Sequence, residues 1–84
     1  MTDCRADVLI ELLRTNGATS IESANTATGT CWVKFTRARQ PYYITWLRDA
    51  TTINGRDYSG AVIRTWDLND PHSLDNITEW IRHL

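Results

Sequence analysis

The chain predicts an α+β fold: a four-stranded antiparallel meander with an N-terminal and a C-terminal helix packed on it, in the order α-β-β-β-β-α. Three observations carry this expectation. Apolar residues recur at helical spacing near both ends. The stretch Thr30 to Arg37 alternates strictly, as a half-buried strand does. Between Tyr42 and Leu68, two β-branched and aromatic runs flank Asn54-Gly55, a pair that takes the positive φ of a type I′ hairpin turn at little cost.

Thr2 or Asp3 can cap the first helix by accepting from the free amides of its first turn. Val8, Leu9, Leu12 and Leu13 form its apolar stripe, opposite Asp7, Glu11 and Arg14, and Asn16-Gly17 stops it. Residues 18–26 alternate weakly and are polar enough for a short edge strand, which Ala27-Thr28-Gly29 turns. Cys31, Val33 and Phe35 then share one face of a strand, with Trp32, Lys34 and Thr36 on the other. Residues 37–41 read as a loop, since Pro41 cannot donate to a ladder and suits a strand start.

A two-residue turn at Asn54-Gly55 dictates the partners of the hairpin by counting outward. Ile53 would face Arg56, Thr51 Tyr58, Leu47 Val62, Trp46 Ile63, Thr45 Arg64 and Tyr43 Trp66. Ile44, Trp46, Ala61 and Ile63 would share one side, and Tyr43, Thr45, Leu47, Arg64 and Trp66 the other. A bulge at Ser59-Gly60 would shift the outer pairs by one. Asn69-Asp70-Pro71 ends the sheet, and Ser73 caps a last helix with Leu74, Ile77, Trp80, Ile81 and Leu84 on its apolar side. Asp75 complements its dipole at one end and Arg82 and His83 at the other. Both helices are expected on the face carrying Val33, Phe35, Ile44, Trp46 and Ile63.

With 84 residues the chain is expected to be a single domain, 1–84. Apolar residues at 42% and charged residues at 23% exclude a disordered polyelectrolyte. A net charge of −1 counts against a general nucleic-acid binder, which needs a basic excess for phosphate. No run is long and apolar enough for a membrane, and the charged start argues against a secretory leader. Two cysteines, Cys4 and Cys31, are too few for a disulfide scaffold and are read as thiols of a reducing cytoplasm, although their pairing in space stays open.

Two surfaces carry binding potential. Residues 1–48 hold six basic and four acidic side chains, residues 49–84 three basic and six acidic. Asp67, Asp70, Asp75 and Glu79 follow one another with no Lys or Arg between them, as solvated caps do, or as an acidic patch for a basic partner. A sheet covered on one face would present Trp32, Lys34, Tyr43, Thr45, Arg64 and Trp66 on the other. Such interleaved aromatics and cations stabilise a sheet across its strands, anchor a protein partner, or stack bases. A homodimer through that face is a further reading. Lys34, Arg37, Arg39 and Arg48 form a second basic cluster in sequence. Asp49 and Asp57 could approach across the hairpin, and His72 and His83 lie on one side of the last helix. No phosphate loop, nucleophile elbow or metal-ligand spacing occurs, so no enzyme, cofactor or metal is expected.

In size, helix–sheet layout and charge asymmetry over the whole chain, rather than in any motif, the sequence resembles the small anti-CRISPR proteins of phages, the type I inhibitors and among them the I-E group. That resemblance implies a non-enzymatic inhibitor in the host cytoplasm. It would bind a protein subunit of the CRISPR surveillance complex and block target-DNA binding or nuclease recruitment. The acidic segment 67–79 would then stand in for nucleic-acid phosphates, with Trp32, Tyr43 and Trp66 as aromatic anchors. The alternatives are a single-stranded nucleic-acid binder or a self-associating regulatory module.

Overall fold

The structure is a computed structural model that describes residues 4–84. Helix α1 (Cys4–Thr15) is followed by strands β1 (Thr19–Asn25), β2 (Thr30–Arg37), β3 (Gln40–Leu47), β4 (Thr52–Arg56) and β5 (Val62–Asp67), and by helix α2 (Ser73–Arg82). All neighbouring strands are antiparallel, and their order in the sheet is β1-β2-β3-β4-β5. The α+β class, both helices and the meander are as expected, but the sheet has five strands, not four.

The extra strand is the segment read above as a turn. Asn54 and Gly55 lie inside β4, where Asn54 pairs with Thr45 and Thr65, and Gly55 with Ile44 and Arg64. Gly55 is not among the residues with positive φ, so the type I′ hairpin at Asn54-Gly55 does not form. Two other turns take its place. One follows Leu47, with Asp49 in the left-handed region at φ 66° and the Ala50 amide donating to Leu47 O. The other spans Asp57 to Ala61, where Gly60 supplies a φ of 87°. Inside the strand, packing outweighs the local turn preference of Asn-Gly. Ile53 is fully buried, and the rings of Trp66 and Trp80 close directly over Gly55.

Positive φ at two consecutive residues occurs instead at Ala38 (54°) and Arg39 (65°), which join β2 to β3. The expected loop at 37–41 is thus a two-residue turn of the primed kind, with Gln40 and Pro41 already in the strand.

Remaining expectations follow local chemistry. Gly17, at φ 87°, ends α1, and the Ala18 amide donates to Leu13 O at 2.9 Å. Strand β1 is a polar edge, irregular between Thr19 and Glu22, where Ser20 has a φ of 52°. Ser73 is the first buried residue of α2 rather than its cap; His72 holds that position, with its amide donating to Asp70 Oδ1. The cap proposed at Thr2 or Asp3 lies outside the described residues.

Both helices sit on one face of the sheet, α1 over β1 and β2 and α2 beside β5. Leu9 and Leu13 from α1, Ile77, Trp80 and Ile81 from α2, and Cys31, Val33, Phe35, Ile44, Trp46, Ile53 and Trp66 from the sheet form the core between them. A cross-strand row runs Cys31–Trp46–Ile53–Trp66. Trp80 meets Trp66 and Phe35 edge-on, at centroid distances of 5.2 and 6.0 Å.

Candidate functional site

The opposite face of the sheet carries no helix. The register fixes what it displays, because directly opposed residues of antiparallel strands project to the same side. One row is Ala24–Trp32–Thr45–Asn54–Thr65 and the next Glu22–Lys34–Tyr43–Arg56–Val62. Tyr43 therefore stands between two cations, Lys34 and Arg56, and Trp32 lies diagonally beside it. All four are half-buried, shielded by their neighbours but covered by no other element.

Arg56 is held rigidly. Its Nε donates to Thr45 Oγ1 at 2.9 Å and its Nη1 to Gly60 O at 2.8 Å. The second bond ties it to the β4–β5 turn, which folds over this face and, with Trp32, Tyr43 and Arg56, encloses a shallow groove of about 410 Å³. Asp57 organises that turn. Its Oδ1 accepts from the Ser59 hydroxyl at 2.6 Å, the Ser59 amide at 2.9 Å and the Ala61 amide at 3.2 Å. The Ser59 hydroxyl holds the Asp57 carboxyl below its ordinary value of 3.8, with backbone amides adding to the effect and desolvation opposing it. Tyr58, at the tip, is 69% exposed.

The structure brings Trp32, Lys34, Tyr43 and Thr45 together on this face as expected, and corrects the placement of Arg64 and Trp66. Both lie on the helix-covered side: Trp66 is buried against Trp80, and Arg64 is exposed beside α2. The inserted strand changes the count by which faces were assigned. Arg56, Asn54, Thr65 and Val62 take their places on the open face. Counting outward from a turn at Asn54-Gly55 pairs Arg56 with Ile53 and so hides its place on the open face; the signal for that place is the Thr52–Arg56 alternation with Ile53 as the apolar member.

The acidic residues run from the end of β5 through the turn onto α2, where Asp75 and Glu79 are one helical turn apart. Asp67 ends β5 and accepts from the Asn69 amide, Asp70 accepts from the His72 amide, and Glu79 meets His83 Nε2 at 2.7 Å. Glu79 lies in a groove shared with Arg64 and His83, whereas Asp75 rims a different one between the helices. The basic cluster is dispersed. Arg37 and Arg39 stand at the β2–β3 turn, Arg48 just beyond the far end of β3, and Lys34 within the sheet. Asp49 and Asp57 lie at opposite ends of β4 and do not face one another. His72 and His83 flank the two ends of α2. Cys31 is buried in the core, and its Sγ donates to Gly29 O at 3.8 Å.

Among the described residues no three His, Cys, Asp or Glu side chains gather at metal-binding distance, and no helix is long and apolar enough to cross a membrane. Comparison of the chain with protein-family models, with curated proteins and with solved structures finds no match.

Proposed function

We propose that the protein is a non-enzymatic binding module that docks a protein partner through the open face of its sheet. The observation that carries this reading is the uncovered pair of rows in which Trp32 and Tyr43 stand among Lys34 and Arg56. Tyr, Trp and Arg are the side chains that most often anchor protein interfaces, because they bury large areas at low entropy cost. Arg56, already fixed by Thr45 and Gly60, loses little freedom on binding.

The resemblance to small phage anti-CRISPR proteins narrows the partner to a subunit of a type I surveillance complex, with target-DNA binding or nuclease recruitment blocked sterically and without chemistry. In this reading Trp32 and Tyr43 anchor the partner, and mimicry of a phosphate row by Asp67, Asp70, Asp75 and Glu79 is the alternative basis of the inhibition. A nuclease-treated pull-down with tagged protein, from a bacterial lysate carrying such a system, tests it. The wild type is expected to recover a complex subunit and the Trp32→Ala/Tyr43→Ala variant to lose it. Equal recovery by both removes the sheet face from the interface, and no recovery by either removes the surveillance complex as partner.

The Lys34–Tyr43–Arg56 row also suits stacking of a single nucleic-acid strand. In that case a gel-shift titration shows binding that falls steeply with salt and needs the same two aromatics.

A further inference from the structure

A second surface lies on the other side of the molecule. Helix α1 covers the β1–β2 side of the sheet and α2 lies beside β5, so a groove opens between them. Its volume is about 640 Å³, and its floor is apolar: Val8 and Leu12 from α1 and Leu74 from α2. Beyond Val8 and Leu74 it continues into a further hollow of about 400 Å³ floored by Leu9, Ile53 and Leu68. Helical spacing puts Val8 and Leu74 on the apolar stripes of their helices, yet they remain 44% and 42% exposed. At the far end the helices are tied by Arg82 Nε donating to Asn16 Oδ1 at 2.9 Å.

Three carboxylates rim the 640 Å³ section: Asp7 and Glu11 from α1 and Asp75 from α2. A first-turn position accounts for Asp7 and Asp75 singly, through the helix dipole. It does not account for their convergence with Glu11 on one apolar floor. Arg14 offsets part of this charge, with Nη1 3.2 Å from Glu11 Oε2. At the entrance to the smaller hollow, Arg5 donates Nη1 to Ala50 O.

We propose that this groove docks a helical segment of a partner protein whose apolar ridge is flanked by Lys or Arg. Two adjacent helices leave a furrow into which the side-chain ridge of a third can pack, burying Val8, Leu12 and Leu74. The acidic rim selects the sign of the flanking charges. This surface is separate from the open sheet face, and its occupant need not be the same molecule.

The probe is a fluorescent amphipathic helical peptide with Leu at i, i+3, i+4 and i+7 and Lys on both flanks, titrated with the full chain by anisotropy. Its twin carries Glu in place of Lys. The Lys peptide is expected to bind about tenfold or more tighter than the Glu peptide, with an advantage that shrinks as salt rises. Val8→Ser and Leu74→Ser, at exposed positions and with melting temperatures expected to stay near that of the wild type, are expected to abolish binding. Glu11→Gln/Asp75→Asn keeps the apolar floor and is expected to remove the preference for Lys over Glu. Trp32→Ala is expected to change nothing, which separates this groove from the sheet-face reading. Equal binding of both peptides, or binding that survives Val8→Ser and Leu74→Ser, overturns the proposal. So does light scattering that shows a dimer dispersed by those two substitutions, since a second copy would then occupy the groove.

Discussion

Trp66 lies across Gly55 on the neighbouring strand so closely that a Cβ there would stand 2.8 Å from Trp66 Cη2 and 3.1 Å from Trp80 Cη2. Glycine is required at this point by the approach of two indole rings, not by the geometry of a turn. Gly55→Ala is therefore expected to destabilise the chain by about 1–3 kcal/mol through overpacking. Chemical denaturation measures it. In a Trp66→Leu background the cost of Gly55→Ala should shrink, and a double-mutant cycle with no coupling would contradict the ring contact.

The β2–β3 turn holds two non-glycine residues, Ala38 and Arg39, in the left-handed region. Each pays a steric penalty that Asn and Gly largely escape. Ala38→Asn/Arg39→Gly should stabilise the fold by about 1–2 kcal/mol, read as a rise in the denaturation midpoint without a change in slope. A loss of stability would mean that the turn is not of the primed kind.

The Asp57 carboxylate accepts three hydrogen bonds from the β4–β5 turn, and its folded pKa lies below the ordinary 3.8. The sign follows from linkage: a lowered folded value means that the contribution is present above the unfolded pKa and is lost as pH falls through the folded one. Amide exchange at Ser59 and Ala61, measured with the intrinsic pH dependence removed, should lose protection only below pH 3.8. Asp57→Asn retains an acceptor without the charge, so its turn should be held less tightly but without that pH dependence. Because Gly60 O holds Arg56, the groove on the open face should loosen together with the turn.

Trp32 and Tyr43 have no helix above them, so truncating them should cost less stability than truncating a core aromatic. Trp32→Ala or Tyr43→Ala is expected to cost about 1 kcal/mol in cross-strand contacts, while Trp66→Ala costs about 3–5 kcal/mol. Denaturation of the three variants in parallel checks the assignment of faces. If Trp32→Ala proved as costly as Trp66→Ala, the open face would be covered in solution.

Local chemistry was enough for much of this protein. The helical spacing of Leu9 and Leu13 and of Ile77, Trp80 and Ile81 marks both helices, Gly17 marks the end of the first, and the alternation of Thr30–Arg37 matches β2 at both ends. Within a single strand the faces follow from period two. Period two thus sets Val33, Phe35, Ile44 and Trp46 on the core side, and Trp32, Lys34 and Tyr43 opposite them, without tertiary information.

What the tertiary structure decided is the path of residues 48–61. Asn54-Gly55 favours a turn over the few residues it spans, but burial of Ile53 between Trp46 and Trp66, and of Gly55 beneath two indoles, is larger and acts between distant segments. One additional strand then exchanged Arg64 and Trp66 for Arg56 and Asn54 on the open face. The same long-range packing set Asp75 beside Asp7 and Glu11 at the rim of one groove. Periodicity determines which side of its own element a residue occupies; which elements meet depends on the packing of large side chains far apart in the chain.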